Sequence, residues 1–347
     1  MHLALIRLSA LGDIIHTWPL VLSLRNHRPD LHLTWVVEEP FRPLVEDHPA
    51  VDSVITVATK RWRKAPFTQQ TRAETGAVKT RLRELTPDLV LDSQGTTKSA
   101  WITRWADAVD RVGLARPWRR ELLPALVYSR VLPGSEGDPH VVATNCHLVR
   151  AIGGEPVPNT PSPDGRWLLE RALERWPDFR RKAPYAVLLP GAGQPSKVLS
   201  TDVLATLARL LESRGLEVVV AWGPGELERA EAVVAGAGET AEVAPPTNIE
   251  QLAVLLGGAS VVVGADTGPI HLAASLGTPT LGVFLTTDWR RNGPLGPHTA
   301  VLSAAQLPQK VHPGRAGARP GVMPSAETID RKVAQLLAGV TIREEQN

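Results

Sequence analysis

The amino-terminal stretch 3–24, LALIRLSALGDIIHTWPLVLSL, decides the fold of this chain. Its first six residues predict a buried strand, and the residues from Ile14 onward predict a helix that carries Pro19 in its first turns. Ser9, Gly12 and Asp13 stand between them, where the strand gives way to the helix. Polar groups at the carboxyl end of a buried strand occupy the position at which parallel α/β sheets bind their ligands.

Strands and helices continue to alternate after this stretch, which indicates βαβ units and a parallel sheet. A helix is predicted over about 68–85, and the Pro- and Gly-rich segment 153–165, GGEPVPNTPSPDG, predicts a linker. The alternation then starts again. The predicted strands are 3–8, 31–37, 53–57 and 88–92 before the linker, and 185–190, 216–222, 260–266 and 278–284 after it.

Two doubly wound α/β domains facing a cleft are the simplest architecture for this pattern. A length of 347 residues agrees with two domains, at roughly 100–200 residues per domain. We expect one domain over 1–160, a second over 161–324, and a C-terminal helix and tail over 325–347.

Composition limits the classes of protein to consider. Hydrophobic residues make up 43% and charged residues 21%, as in soluble globular proteins. The net charge of +2 gives no reason to expect bulk nucleic-acid binding. Cys146 is the only cysteine, which excludes an intrachain disulfide and a cysteine-based metal site and fits a reducing compartment. Polar residues interrupt the amino-terminal apolar run and no run of about 18 apolar residues occurs, so neither a signal peptide nor a membrane-spanning helix is expected.

Asp13 allows two interpretations. A carboxylate at a helix N-terminus is stabilised in its charged form, so Asp13 can be a simple helix cap. Alternatively, it is a base presented from the end of a strand into a cleft. Gly12 beside it permits close backbone approach or a positive φ. The stretch by itself does not separate the two.

Three strand ends in the second half carry groups suited to a nucleotide. The segment 190–197, PGAGQPSK, is a Gly-rich turn ending in Lys197 that suits a diphosphate, although it lacks the P-loop pattern and an ordinary strand–helix loop explains it equally well. Glu226 in WGPGELERA can accept hydrogen bonds from ribose hydroxyls or favour a helix start. In ADTGPIH, the helix beginning near Pro269 offers an anion site.

A basic segment, KRWRK at 60–64, lies in the first half. Most such runs are solvated surface, but arginines and lysines near a cleft suit a phosphorylated or acidic ligand. No His or Cys cluster has metal-ligand spacing, and neither a G-x-S-x-G nor a G-x-G-x-x-G motif occurs. Further cations of the same half are Lys98, Arg104, Arg111, Arg116, Arg119 and Arg120.

Taken together, these stretches resemble glycosyltransferase family 9, which contains the lipopolysaccharide heptosyltransferases. RLSALGDIIHTWPL is similar to the family opening S-x-[LM]-G-D-[VI]-[LI]-H-x-x-P. WVVEEPF, VATKRWRK and LDSQGTTKSA resemble the type I members, and PGAGQPSK, WGPGELERA and VGADTGPIHLAASLGTPTLGVF match the donor-side motifs. The resemblance extends from residue 3 to about 290.

The resemblance implies the GT-B fold, in which two Rossmann-like domains face a cleft, with the acceptor bound by the first and the ADP-sugar by the second. It implies inverting transfer of heptose from ADP-L-glycero-β-D-manno-heptose to the Kdo of Kdo2-lipid A in the lipopolysaccharide inner core. It also implies a cytoplasmic enzyme in peripheral contact with the inner membrane, without a protein-held metal or other cofactor and without a nucleic-acid partner.

Residue by residue, the resemblance implies that Asp13 is the catalytic base and that Lys197 helps to stabilise the departing ADP. The implied donor-binding residues are Gly193, Lys197, Glu226, Asp266, Thr267, Gly268 and His271. The implied acceptor-binding residues are Ser9, Gly12, His16, Lys60, Arg61, Arg63, Lys64, Gln94 and Arg120.

Two alternatives stay open at this point. One is a related transferase, such as a heptosyltransferase II-like enzyme or one with another sugar acceptor. The other is a nucleotide-sugar-binding protein without transfer activity, which would have no need of Asp13. A sugar-nucleotide epimerase is disfavoured, because neither Tyr128 nor Tyr185 is followed by a lysine four residues on and no dinucleotide fingerprint occurs.

Overall fold

The structure is a computed structural model that describes residues 1–339. The end of the predicted 325–347 segment, residues 340–347, lies outside the described residues. The chain divides into two compact units. Met1–Pro161 and His312–Arg315 form the first unit, and Ser162–Val311 with the residues from Ala316 onward form the second.

The first unit contains a six-stranded parallel sheet within the described residues, in the order β3-β2-β1-β4-β5-β6. The order reverses between β1 and β4, so the loops that follow these two strands lie side by side at the carboxyl edge. Its strands are β1 (His2–Ile6), β2 (His32–Glu38), β3 (Ser53–Val57), β4 (Leu89–Asp92), β5 (Asp110–Leu114) and β6 (Arg130–Leu132). Its α-helices are α1 (Leu11–Ile15), α2 (Trp18–His27), α3 (Thr59–Lys64), α4 (Gln69–Glu84), α5 (Thr97–Trp105) and α6 (Val141–Cys146).

The second unit repeats this topology in the described part of the chain, with the order β12-β11-β10-β7-β8-β9. Here the reversal lies between β7 and β10, which again brings two loops together at the carboxyl edge. Its strands are β7 (Tyr185–Leu189), β8 (Glu217–Val220), β9 (Ala241–Val243), β10 (Val261–Ala265), β11 (Thr280–Phe284) and β12 (Thr299–Ser303). Its α-helices are α7 (Arg166–Arg175), α8 (Thr201–Ser213), α9 (Leu227–Ala235), α10 (Ile249–Gly257), α11 (Gly268–Ser275), α12 (Trp289–Asn292) and α13 (Ala326–Leu337).

In each unit, one cluster of buried apolar residues joins the sheet to the helices beside it. In the first unit, Trp62 of α3, Leu82 of α4 and Ile102 of α5 pack with the apolar residues of β1 to β4. In the second, α8, α9 and α13 pack on β7, β8, β10 and β11. The C-terminal helix α13 therefore belongs to the core of the second unit, into which Ile329 and Val333 are fully buried.

The predicted strands are all present, but β5, β6, β9 and β12 carry no clear sequence signal. β6 and β9 have three residues each and are partly exposed at sheet edges, so they lack an apolar run. The prediction of a single helix after Asp13 is wrong. The chain forms α1 and α2 instead, and Pro19 lies in the first turn of α2, where its missing N–H costs no hydrogen bond.

Candidate active site

Asp13 lies in the first turn of α1, directly beyond the carboxyl end of β1. Its Oδ2 accepts a 3.4 Å hydrogen bond from the N–H of Ala10, the N-cap residue, and its Oδ1 is 3.9 Å from Nη2 of Arg7. The side chain is 32% exposed. Asp13 therefore supports the start of the helix and still presents a carboxylate that a ligand can reach.

Arg7 is a buried cation that fixes this loop. Its guanidinium donates to the carbonyls of Asp13, at 3.2 Å, and Ser93, at 2.8 Å, and so ties the loop after β1 to the loop after β4. Burial lowers the pKa of Arg7, although the charges of Asp13 and Asp92 oppose this effect. Sequence patterns do not single out Arg7 as a site residue. The available signal is a charge at the end of an otherwise apolar strand.

Gly12 and His16 are buried within the loop and helix that carry Asp13. Gly12 is helical, so the positive φ allowed by its sequence position is not used. His16 is the C-cap of α1 and is only 2% exposed, with its ring edge-on to that of His140. Their burial favours support of the backbone around Asp13 over direct contact with an acceptor.

Lys98, on α5, connects the Asp13 loop with the basic segment. Its Nζ donates to Oγ of Ser9 at 2.9 Å and lies 3.6 Å from Oε1 of Glu38. Burial lowers the pKa of Lys98, Glu38 opposes that shift, and the charges of Lys60 and Arg63 lower the pKa further. The sequence gives a hint of this position, because Lys98 follows β4 in the same way that Asp13 follows β1.

The basic segment forms the short helix α3. Lys60, Arg63 and Lys64 are exposed there. Arg61 is different, because its guanidinium forms ion pairs with Glu39 and Glu74, each at 3.0 Å. The prediction that Arg61 binds the acceptor stays a prediction, and in this geometry its guanidinium is already paired with two carboxylates.

Gln94 and Arg120 also lie near the Asp13 loop. Oε1 of Gln94 accepts from the N–H of Leu8 at 2.8 Å, so this carbonyl serves the contact between the two loops. Arg120 is exposed, and its charge acts on Arg7. Two other cations of the first unit, Arg111 and Arg119, donate hydrogen bonds to backbone carbonyls and therefore stabilise the fold.

Asp92, at the end of β4, organises the loop that carries Gln94 and Lys98. Fully buried, it accepts from the N–H groups of Gln94 and Gly95, from Oγ of Ser99, and from the Tyr128 hydroxyl at 2.7 Å. Burial raises the pKa of Asp92, and these hydrogen bonds oppose that shift.

Replacing Tyr128 by Phe is expected to lower the free energy of unfolding by about 2 kcal/mol, because it removes one of the two hydroxyl groups that donate to the buried Oδ2 of Asp92 and leaves that of Ser99. The midpoint of urea denaturation measures the effect. Tyr185→Phe is the control, since its hydroxyl donates to a single backbone carbonyl, that of Leu255, and a loss of about 1 kcal/mol is expected. An unchanged midpoint for Tyr128→Phe would show that this hydroxyl does not hold the loop.

In the second unit, the loops after β7 and β10 bring Lys197 and Asp266 together. Nζ of Lys197 donates to Oδ2 of Asp266 at 2.7 Å, and Nε2 of His271 is 3.6 Å from Oδ1. Burial by itself would raise the pKa of Asp266, but the hydrogen bond from His271 and the charge of Lys197 outweigh burial and hold that pKa well below its usual value. These three predicted donor-side residues form one chain of contacts.

Glu226 reaches the same edge from the loop after β8. Its carboxylate accepts from the Gly223 N–H at 2.9 Å and packs against Gly191, where an added Cβ would lie 1.9 Å from Cδ of Glu226. Gly191 thus has to be glycine for this approach, a role that sequence reasoning missed. Gly193, two residues on, is exposed and has open space around it.

Thr267 and Gly268 begin α11 beside Asp266. Thr267 is the N-cap residue and its side chain makes no capping hydrogen bond, and Pro269 follows in the first turn. The first N–H groups of the helix therefore have no side-chain cap, which suits an anion at this end.

The described residues contain no cluster of three or more His, Cys, Asp or Glu side chains able to hold a metal ion. The predicted absence of a cofactor stays a prediction. A cavity of about 690 Å³ in the first unit is lined by parts of 133–161, and none of the predicted site residues lines it.

The family model of glycosyltransferase family 9 (heptosyltransferase) matches residues 75–316, which spans both units. The chain belongs to glycosyltransferase family 9. This confirms the resemblance stated above, and with it a glycosyltransferase enzyme of the GT-B fold. The matched range begins after Asp13, so the relatives described next are needed to cover the amino terminus.

This chain is 37% identical to lipopolysaccharide heptosyltransferase 1 of Pseudomonas aeruginosa. The alignment covers 83% of this chain and 79% of the Pseudomonas protein. Lipopolysaccharide heptosyltransferase 1 of Escherichia coli K12 is 32% identical over 88% of this chain and 94% of its own. Among solved structures, E. coli heptosyltransferase WaaC with ADP superposes with a TM-score of 0.80 at 29% identity, covering 97% of this chain and all of that one.

Proposed function

We propose that this glycosyltransferase moves L-glycero-D-manno-heptose from ADP-L-glycero-β-D-manno-heptose to the Kdo of Kdo2-lipid A, with inversion at the anomeric carbon, in the lipopolysaccharide inner core. The observation that carries the proposal is the reachable carboxylate of Asp13 at the carboxyl edge of the first sheet, held by Arg7, in a chain that is 37% identical to a lipopolysaccharide heptosyltransferase 1.

The donor half of the proposal is supported by the second unit. Two similar solved structures are E. coli heptosyltransferase WaaC with ADP and with ADP-2-deoxy-2-fluoro heptose. Lys197 and the start of α11 supply positive charge and N–H donors for a diphosphate, and Glu226 supplies a carboxylate for ribose hydroxyls. We assign Asp266, in the loop after β10, and His271, on α11, to the sugar that the diphosphate carries, because Nε2 of His271 lies 3.6 Å from Oδ1 of Asp266.

The chemistry assigns a separate task to each half. The acceptor hydroxyl attacks the anomeric carbon while Asp13, within about 3 Å, takes its proton. The bond from that carbon to the diphosphate oxygen breaks, and ADP leaves with the electron pair. Lys197 and the N–H groups at Thr267 and Gly268 stabilise the charge that develops on ADP. One displacement on a β-linked donor gives an α-linked product.

The acceptor half is supported by the cations around Asp13. Lys98 lies next to Ser9, and Lys60 and Arg63 are close enough to act on its charge. A Kdo residue carries a carboxylate and lipid A carries phosphates, and such groups form charge-assisted hydrogen bonds with lysine and arginine. We therefore assign Lys60, Arg63 and Lys64 of α3, together with Arg120, to the acceptor.

Replacing Lys60, Arg63 and Lys64 together by Ala is expected to raise KM for the acceptor by about tenfold or more, with KM for ADP-heptose unchanged, because each charge-assisted contact is worth roughly 1 kcal/mol or more. Steady-state kinetics with each substrate varied in turn gives both constants. Arg61→Ala is the matched control on the same helix. Since Arg61 is paired with Glu39 and Glu74, its loss should change the acceptor KM little. A larger effect from Arg61→Ala than from the triple variant would reverse this assignment.

The proposed reaction is tested by incubating the protein with ADP-heptose and deacylated Kdo2-lipid A. We expect the acceptor to gain the mass of one heptose, in α linkage by NMR. Product only on an acceptor that already carries heptose would favour the heptosyltransferase II-like alternative. Binding of ADP-heptose without any product would favour the non-catalytic one.

A cytoplasmic enzyme in peripheral contact with the inner membrane fits this proposal, because the acceptor is anchored in a bilayer. Within residues 1–339, every helix is too short or too polar to cross a membrane.

A further inference from the structure

Four large apolar side chains lie exposed on the first unit beside the predicted acceptor residues. Trp101 of α5 is 65% exposed, and Leu122, Leu123 and Leu126 are between 56% and 84% exposed. The leucines belong to or adjoin the 3-10 turn Leu123–Leu126, which packs against α5. We call these four residues the apolar patch. Exposed apolar groups gathered in this way mark an interaction surface.

The patch is connected to the Asp13 loop through polar contacts. Oε2 of Glu121 accepts from the N–H of Thr97 at 2.8 Å, and Glu121 donates its own N–H to the carbonyl of Gly95. These bonds fix Leu122 next to the amino end of α5. Lys98, one residue after Thr97, donates to Ser9 in the Asp13 loop. Leu122 and the amino end of α5 therefore lie at the same edge of the sheet as the acceptor residues, and the rest of the patch extends from there along α5 and the 3-10 turn.

Cations border the patch. On α5, Lys98 lies three residues before Trp101 and Arg104 lies three residues after it. Residues three apart are neighbours on a helix surface, so the three side chains lie on the same side of α5. Arg120 adjoins Glu121, and the charges of Arg120 and Lys98 both act on that carboxylate. Arg104 and Arg120 are exposed. A tryptophan and leucines flanked by lysine and arginine are the composition that binds at the interface of an anionic bilayer.

We propose that the apolar patch is the surface by which this enzyme docks on an anionic phospholipid bilayer, with Trp101 and the leucines entering the interface and Arg104 and Arg120 facing the headgroups. The proposal rests on the proposed function in one respect, that the acceptor is held in a bilayer. Docking through this edge brings the membrane-anchored acceptor to the exposed cations next to Asp13. It also accounts for apolar side chains that no core of the described chain covers.

The test is flotation of the full chain with vesicles of phosphatidylcholine containing about a third phosphatidylglycerol. The wild type should bind these vesicles and bind phosphatidylcholine alone much more weakly. The variant L122S/L123S/L126S should bind the vesicles about tenfold more weakly than the wild type. R104Q should bind about fivefold more weakly at low salt, and added salt should abolish this difference. The matched control is V322S. Val322 is 87% exposed and belongs to the second unit, outside the apolar patch, so this variant should bind as the wild type does.

A second measurement separates docking from catalysis. Turnover on the deacylated, soluble acceptor should be the same for the triple leucine variant and the wild type, whereas turnover on acceptor in vesicles should fall with vesicle binding. Equal flotation of the two proteins, or no flotation of the wild type, would overturn the docking surface. An equal loss of turnover on both acceptors would also overturn it, because the leucines would then serve the site or the fold. Normal docking without heptose transfer would contradict the proposed function and leave the surface standing.

Discussion

Asp13→Asn is expected to lower kcat for heptose transfer by about a thousandfold, while the dissociation constant for ADP changes by less than about twofold. Asparagine has nearly the same shape and keeps an oxygen that accepts from the Ala10 N–H, so the start of α1 is preserved. It cannot take a proton from the acceptor hydroxyl. The variant therefore separates the two interpretations that the sequence left open, a helix cap and a base.

Single-turnover kinetics and calorimetric titration with ADP provide the two readouts for Asp13→Asn. Ser9→Ala is a useful companion, because it removes a contact of Lys98 in the same loop and leaves the carboxylate in place. It should affect the acceptor KM more than kcat. If Asp13→Asn weakened ADP binding as much as it slowed turnover, Asp13 would not be the base.

Lys197→Ala is expected to lower kcat/KM for ADP-heptose by about a hundredfold or more, because it removes a positive charge from the departing diphosphate. It also leaves Asp266, 7% exposed, without its 2.7 Å partner. The pKa of Asp266 should rise as a result, and the free energy of unfolding should fall by about 1–3 kcal/mol, less than for a fully buried pair because Lys197 is 20% exposed. Kinetics with varied donor and urea denaturation measure these effects.

The double variant Lys197→Ala/Asp266→Asn tests whether Lys197 acts on ADP or only on Asp266. Removing the unpaired charge should restore stability but not turnover. Recovery of turnover along with stability would mean that Lys197 serves only to neutralise Asp266. A depressed carboxyl pKa contributes stability that is complete above the unfolded value of 3.8 and is lost below it, as the pH falls through the folded pKa. The contribution of the Asp266 carboxylate should accordingly be complete above about pH 5 and should decrease as the pH falls further.

The main residues of both halves were predictable because parallel sheets place their ligands at one edge. Asp13 follows β1, Lys197 follows β7 and Asp266 follows β10, and these strands flank the points at which the strand order reverses. The residues that hold them were not predictable in the same way. Arg7 and Gly191 matter through contacts with the Ser93 carbonyl and the Glu226 side chain, which are far along the chain.

Arg61 shows why a charge pattern was not enough to assign α3. In sequence it is one of four equivalent cations in KRWRK. In the structure all four cations are exposed, but Glu39 from the segment after β2 and Glu74 from α4 both form ion pairs with the guanidinium of Arg61. The partner of a surface cation is set by elements that packing brings beside it.

By itself, the sequence determined the alternation of strands and helices, the two-unit α/β class, the family, and a carboxylate or a lysine at the ends of particular strands. These properties depend on local periodicity and on short motifs, which are complete within a few neighbouring residues. Only the tertiary structure decided that Asp13 supports the start of a helix and is also reachable by a ligand. The same holds for the contact of Lys98 with the Asp13 loop, and for the exposure of Trp101 and three leucines outside the apolar core. These properties depend on contacts between residues distant in sequence, and the packing of the sheet and its helices alone brings such residues together.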